Sequence, residues 1–331
     1  MTRRVGMIGT GWMGESIAAD FALAGLELAA VAARDLDNTR HFAEKRGIPR
    51  ALTVQQLLQE DIDLVYVATT HDTHLELALA ALQHGHPVLV EKAFTVNAGQ
   101  AQDLTEAAAA AGLFLMEAMW MRFTPALRTL QELIANGTLG QPRTLQASFG
   151  FSLPYGPHRL RDGSLGGGSL LDQGVYPLAL ADVLFGEPAF LAATGTRRDS
   201  DGAVLDVDTE FGALLGYDDG QQALVATSIR SNLPFSATVG GRDAHIELAG
   251  AFWGSECVVV HRGGADPLRI DLPHEGRGYV PMLRAVDQAL EEGWLEHPLA
   301  DHASTMRVMR TVDRVAEALA ATSKYERGET G

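Results

Sequence analysis

Val5-Gly6-Met7-Ile8-Gly9-Thr10-Gly11-Trp12-Met13-Gly14 is a short apolar run feeding a Gly-x-Gly-x-x-Gly turn that opens a helix-like segment. Its three glycines divide the work of a dinucleotide seat. Gly9 suits the tight turn, Gly11 lacks the Cβ that would hold the backbone off a pyrophosphate, and Gly14 lets the following helix pack closely on the strand. The N–H groups and positive end of a helix from Trp12 to Leu23 would then face the phosphates, with Thr10, Trp12 and Met13 in the same turn. A glycine-rich turn also arises for purely structural reasons, so context decides. A strand precedes this one, an amphipathic helix follows, and a second apolar strand, Leu26 to Ala32, arrives within the ~30 residues of a βαβ unit.

Outward from that turn, strands and helices alternate. A helix from Leu36 to Arg46 and a short one near Val54 to Gln59 lead to an apolar strand, Asp63 to Ala68, which ends in the polar loop Thr69 to Thr73. His74 to His84 reads as a helix, Pro87 to Glu91 as a strand, Asn97 to Ala111 as an alanine-rich helix and Leu113 to Glu117 as a last strand. This order predicts an α/β, Rossmann-type doubly wound parallel sheet with ligands at the carboxyl ends of its strands. After about residue 121 the pattern changes. A helix, Pro125 to Ala135, is followed by period-two or β-branched segments at Arg143 to Phe151, Asp208 to Tyr217, Gln221 to Arg230, Ala244 to Leu248 and Cys257 to His261. Helices return at Pro281 to Glu292 and Ala303 to Ala321, and Glu326 to Gly331 are expected to fray. The expectation is a cofactor domain over residues 1–121 and an α+β domain over 122–331, built on a large, mainly antiparallel open sheet.

Composition narrows the function. A chain of 331 residues, 46% hydrophobic and 21% charged, is that of a globular protein of two domains. A net charge of −16 excludes nucleic acid as a partner but leaves room for a small anionic ligand in a local basic pocket. The single cysteine, Cys257, allows no intramolecular disulfide and no thiolate-rich metal site. With a first strand starting by Val5 and no apolar run near the ~18 residues of a membrane span, the cytoplasm is the expected compartment.

Cofactor choice falls to Val31-Ala32-Ala33-Arg34-Asp35. An acidic residue at the end of the second strand would hold the ribose 2′-hydroxyl of NAD; here the strand ends in alanine and Arg34 follows at once. Arg34, with Arg40 as a second contact, can clamp the 2′-phosphate of NADP. In the alternative, Arg34 is a solvated charge and Asp35 takes the ribose. NADP is favoured over NAD. Lys92, behind Glu91 at a strand's carboxyl end, can hydrogen-bond a substrate hydroxyl and favour its alkoxide. In Gly166-Gly167-Gly168-Ser169-Leu170-Leu171-Asp172-Gln173-Gly174-Val175-Tyr176, a helical start would place Asp172 and Tyr176 on one face, although Pro177 disfavours helical geometry at Tyr176. A tyrosine beside a cationic lysine can accept a proton; packing is the competing role. His71 and His74 lack companions for a zinc site, so no metal is expected. His84 and His86 read as solvated turn residues, and Arg159 and Arg161 as loop charges either solvated or folded over the cofactor.

Gly9 to Gly14, Glu91-Lys92 and Gly167 to Tyr176, in this order and at these separations, resemble the glucose-fructose oxidoreductase / inositol dehydrogenase (Gfo/Idh/MocA) family over nearly the whole chain. Met116-Glu117-Ala118-Met119-Trp120-Met121-Arg122-Phe123 is most similar to the branch containing dimeric dihydrodiol dehydrogenase and NADP-dependent xylose dehydrogenase. The resemblance implies that Lys92 activates the substrate hydroxyl, Asp172 positions the substrate or its partners and Tyr176 exchanges the proton, with Thr69 and His74 near the cofactor. It implies an NADP-dependent dehydrogenase of a sugar, cyclic polyol or trans-dihydrodiol, paired as a homodimer through the open sheet. A redox-neutral, NAD-dependent glycosidase and a non-catalytic NADP sensor are the alternatives. Trp120, Arg122, Phe149, Phe151 and Trp253 are candidates to wall the substrate pocket, against ordinary core packing. Many family members carry proline after Glu-Lys. Ala93 stands there, which leaves a cis peptide in question.

Overall fold

The structure, a computed structural model, describes residues 2–154 and 156–326, with side chains through residue 321. Of the terminal stretch expected to fray, only Glu326 lies within these residues. The chain forms two compact units, the first of residues up to Thr124 with His274–Thr305, the second of Pro125–Pro273 with the residues from Met306 onward. The units are thus interleaved in sequence, and a boundary near residue 121 describes only the first crossing.

In the first unit, β1 (Arg4–Ile8), α1 (Trp12–Leu23), β2 (Glu27–Ala32), α2 (Leu36–Arg46), β3 (Ala51–Leu52), α3 (Val54–Leu57), β4 (Leu64–Val67), α4 (His74–Gln83), β5 (Val88–Val90), α5 (Ala98–Ala111) and β6 (Leu115–Glu117) follow in order. The strands form a parallel sheet in the order β3-β2-β1-β4-β5-β6. Order reverses on either side of β1 and β4, the switch point that opens a ligand crevice at the strands' carboxyl ends. β4 and β5 are buried along their whole length, the continuous apolar signature of strands covered on both faces. Local chemistry sets the helix ends. The Asn97 side chain accepts the N–H of Gln100 to start α5, and Gly112 at φ 63° ends it.

The second unit opens with α6 (Pro125–Ala135) and β7 (Pro142–Gly150), then α7 (Val175–Phe185), β8 (Phe190–Thr196), β9 (Glu210–Gly216), β10 (Gln222–Ser228), β11 (Leu233–Gly241), β12 (His245–Leu248), β13 (Cys257–His261) and β14 (Leu268–Asp271). These strands make one sheet in the order β14-β13-β12-β11-β7-β10-β9-β8, antiparallel except where β7 meets β10. β8, β11 and β14, like β3 in the first unit, are not apparent in the sequence. β11 carries Pro234 and Gly240-Gly241 and shifts register against β7 at both ends, so its alternation is broken, while β8 and β14 are the sheet's edges and only half-buried. α8 (Val280–Glu291) belongs to the first unit, and α9 (His302–Glu326) passes from the first into the second.

His86 corrects the sequence reading. It is buried, and its Nε2 lies 2.9 Å from the Leu58 carbonyl oxygen, tying the turn before β5 to the end of α3. Among the described residues no helix is long and apolar enough to cross a membrane.

Candidate active site

The glycine turn fits a pyrophosphate. Gly9 has φ +120°, and a Cβ there would drive into the Ala68 carbonyl oxygen. A Cβ on Gly14 would stand 2.8 Å from the Gly9 carbonyl oxygen, so these two glycines close the turn on itself. Gly11 differs: a Cβ would meet nothing within 4 Å. Gly11 caps α1 without a side-chain hydrogen bond, and Trp12 beside it is 75% exposed. Thr10 and Met13 are half-buried around it. An open helix N-terminus with space over a glycine suits a dianionic phosphate bridge.

At the end of β2, Arg34 is exposed and Asp35 is committed elsewhere. Asp35 Oδ1 accepts the N–H groups of Asp37 at 2.9 Å and Asn38 at 3.1 Å, while Oδ2 accepts the Asn38 amide at 3.0 Å. The carboxylate is the N-cap of α2. Arg40 forms a solvated pair with Asp37 at 2.9 Å on the same helix.

Lys92 is half-buried just beyond β5, and buried polar groups hold the main chain around it. The Lys92–Ala93 peptide is cis, answering the question raised by the missing proline. Glu91, buried behind it, accepts the Tyr66 hydroxyl and, at 3.2 Å, the Lys92 N–H. Burial pushes the Glu91 carboxyl up to about 7, against the pull of Tyr66 and Lys92. From β6, Glu117 accepts the Phe94 N–H at 3.2 Å and the Thr305 hydroxyl at 3.4 Å. Burial raises it to about 7 as well, opposed by the nearby Arg122 charge.

His74 Nδ1 lies 2.9 Å from the Ala93 carbonyl oxygen, and its Nε2 3.3 Å from that of Thr69. The ring is wholly buried, burial lowers its pKa, and both nitrogens address backbone oxygens. His74 therefore joins the loop after β4 to the turn carrying Lys92. Thr69 is half-buried and accepts the Thr73 hydroxyl at 2.8 Å. Trp120 and Arg122 are buried, Trp120 with its ring 4.8 Å from Tyr279 and 6.2 Å from His274. The Asp20 carboxylate on α1 fixes that segment by accepting the N–H groups of Arg277 and Tyr279 at 3.0 Å.

In the second unit a different turn carries the chemistry. The Asp208 carboxylate accepts the Ser169 hydroxyl at 2.6 Å and the Leu170 N–H at 2.8 Å, and a Cβ on Gly168 would stand 2.5 Å from its Oδ1. From this anchor Leu170–Gly174 winds as a π-helical turn, a form found mostly at functional sites, and runs directly into α7. Tyr176 is helical despite Pro177. Pro177 is the third residue of α7, directly after the π-turn.

Asp172 Oδ1 accepts from Arg159 Nη2 at 2.8 Å. Tyr176 is 6% exposed and packs beside Trp253 and Phe149, with ring centroids 5.5 and 6.1 Å away. Phe149 stacks on Trp253 at 3.7 Å, and Phe235 meets both at 5.1–5.2 Å. Phe151 borders the cluster, its ring 6.0 Å from Phe149, and packs on its other side against Leu153, Leu160 and Ile229. Arg161 is not a solvated charge: it binds Asp199 at 2.6 Å, with both side chains nearly buried.

Sequence reasoning missed Glu117, Asp208, Phe235 and the Arg159–Asp172 pair. Glu117 ends an apolar strand as Glu91 does, a signal left unused; Asp208 reads as the polar head of an expected strand and carries none. Among the described residues, no group of three or more His, Cys, Asp or Glu side chains is placed to hold a metal ion.

The model of an oxidoreductase family with an NAD-binding Rossmann fold, GFO_IDH_MocA, matches residues 3–119, and the GFO/IDH/MocA C-terminal domain matches 127–247. The trans-1,2-dihydrobenzene-1,2-diol dehydrogenase of Mus musculus is 36% identical over 237 residues, 70% of this chain and 69% of that protein. Its counterpart in Sus scrofa is 33% identical over 306 residues, 89% of this chain and 90% of that one. Among solved structures, KijD10, a 3-ketoreductase from Actinomadura kijaniata in complex with NADP and TDP-benzene, is similar with a TM-score of 0.86 at 28% identity, covering 96% of this chain and 98% of that chain. With both of its halves matched, the chain belongs to the GFO/IDH/MocA family of oxidoreductases and is a dehydrogenase acting on a CH–OH group.

Proposed function

We propose that the protein is an NADP-dependent dehydrogenase that oxidises a secondary alcohol or hemiacetal carbon of a sugar, cyclic polyol or trans-dihydrodiol. The observation that carries the cofactor choice is the capping role of Asp35. With its carboxylate spent on the N–H groups of α2, the corner that would bind a ribose hydroxyl offers Arg34 instead, which matches a 2′-phosphate. The substrate class draws on the dihydrodiol dehydrogenases at 30–36% identity and on the stacked Phe149–Trp253 face, whose flat apolar surface suits an arene or the apolar side of a sugar ring.

Gly9, Gly11 and Gly14 and the first turn of α1 hold the pyrophosphate, and Arg34 the adenosine phosphate. NADP, when bound, supplies the hydride acceptor. Lys92 donates a hydrogen bond to the reacting hydroxyl, and its charge stabilises the alkoxide that develops there. Tyr176 takes the hydroxyl proton, and Asp172 orients the substrate. Glu91, Glu117 and His74 keep the Lys92 backbone in place. The protein works as a homodimer in the cytoplasm, paired through the open face of the second unit's sheet.

Absorbance of reduced nicotinamide, followed with NADP and then NAD over pentoses, hexoses, inositols and trans-dihydrodiols, tests the reading. A rise with NADP and one substrate class is expected, together with its loss in Y176F at unchanged NADP affinity. Glycoside cleavage without net reduction would instead identify a redox-neutral glycosidase, and binding of NADP with no turnover a sensor.

A further inference from the structure

We infer that Arg159 is a positioning residue for Asp172, its guanidinium holding the carboxylate in the orientation that serves the substrate; this rests on the role given to Asp172 above. The contact is a charge-assisted hydrogen bond, Arg159 Nη2 to Asp172 Oδ1 at 2.8 Å, with the carboxylate side chain only 12% exposed. A carboxylate so far out of water needs a compensating partner.

The main chain that presents Arg159 is anchored on every side. Residues 159–161 form a 3-10 turn capped by His158, whose Nδ1 accepts the Leu160 N–H at 3.2 Å. Leu160 is 1% exposed and packs against Leu153 and Ile229. The Leu160 carbonyl accepts the Gly168 N–H at 2.9 Å, and the Asp162 carbonyl accepts that of Gly167 at 3.0 Å. A Cβ on Gly167 would stand 2.7 Å from the Arg159 carbonyl oxygen, so the Arg159 loop and the glycine turn that leads to Asp172 are pressed together. On the far side Arg161 grips Asp199 at 2.6 and 3.4 Å and donates to the carbonyls of Pro154 and Gly156 at 2.8 and 3.1 Å. From this base the Arg159 side chain, 44% exposed, extends to the Asp172 carboxylate. The guanidinium adds a planar fork that a lysine lacks.

The test uses the full chain with NADP and the substrate that gives turnover, comparing R159A, R159K, D172N and the R159A/D172N pair. R159A should lower kcat by about 10–100-fold, the range for losing a hydrogen bond to a charged group, with NADP affinity unchanged by fluorescence quenching. Added guanidinium salt, well below denaturing concentrations, should restore part of the loss in R159A and none in D172N. The double variant should be no worse than D172N alone, because both changes remove one interaction.

R159K keeps the charge on a side chain one atom shorter, so it reads the effect even if R159A does not fold; an intermediate loss is expected. Wild-type kcat in R159A or R159K, or multiplicative losses in the double variant, would overturn the inference. Wild-type kcat in D172N would overturn the role of Asp172 itself.

Discussion

The Asp35 carboxylate accepts the backbone N–H of Asp37 at 2.9 Å and so belongs to the helix it caps. In the proposed function its exposed neighbour Arg34 takes the adenosine end of the cofactor. R34A should raise the KM for NADP by about tenfold, the lower end for losing a charged hydrogen bond at an exposed site, and leave the KM for NAD nearly unchanged. D35A should instead lower stability by about 1 kcal/mol through loss of the cap, without altering the NADP-to-NAD ratio. Steady-state kinetics with each cofactor and urea unfolding separate the two. A D35A variant that lost NAD binding selectively would restore the ribose reading of Asp35.

The three glycines of the first turn should respond differently to the same added methyl. G9A meets the Ala68 carbonyl at a φ of +120°, so it should cost on the order of 2 kcal/mol or more and lower the melting temperature. G11A meets no protein atom within 4 Å, so the fold should stand while NADP affinity falls about tenfold or more. Calorimetry on the two variants with and without NADP reads both effects. Unchanged NADP binding in G11A would remove the pyrophosphate from that turn.

Most of the first unit was legible because central strands such as β4 and β5 are buried along their length and leave unbroken apolar runs, and because Gly47 and Gly112 at helix ends are local signals; the two-residue, half-buried edge strand β3 leaves none. Helix limits at Trp12–Leu23 and Leu36–Arg46 follow from such signals. The second unit was less so. β11 owes its place to pairing with β7 and β12, partners far away in sequence, and its Pro234 and glycines hide the alternation. Among the candidate residues, motifs pointed to Lys92, Asp172 and Tyr176, but not to what holds them. Arg159 lies 13 residues before Asp172, and Asp208 lies 39 after Ser169, separations that no periodicity links.

Buried carboxyls beside Lys92 give stability a pH dependence of known sign. Glu91 and Glu117 are each raised from an ordinary 4.5 to about 7 by burial. Between those values the folded chain binds more protons than the unfolded one, so this contribution is full below pH 4.5 and is lost as pH rises through about 7. The loss is on the order of 3 kcal/mol for each group titrating alone. E91Q, which keeps an acceptor for Tyr66 but cannot ionise, should flatten the dependence and be relatively more stable than wild type at pH 8 than at pH 5.5. Urea unfolding at the two values measures it; a slope unchanged in E91Q would mean that Glu91 stays ionised in the folded chain.

The proposed pairing through the open sheet has its weak point at an apolar row of that face. Leu214 on β9 and Leu224 on β10 stand opposite one another in register and are 39% and 42% exposed, with Phe190 of β8, 55% exposed, on the same face. Three large apolar side chains in neighbouring strands form a patch that a second copy of the same surface can cover. Two carboxylates facing their symmetry mates there would repel and stay hydrated. The double variant L214E/L224E should therefore sediment as a monomer where the wild type sediments as a dimer. Its unfolding midpoint, measured at a concentration where the wild type is also dissociated, should be little changed, because both positions lie on the solvent side of their strands. A variant that remains dimeric would move the interface off this face, and a wild type that is monomeric at micromolar concentration would remove it altogether.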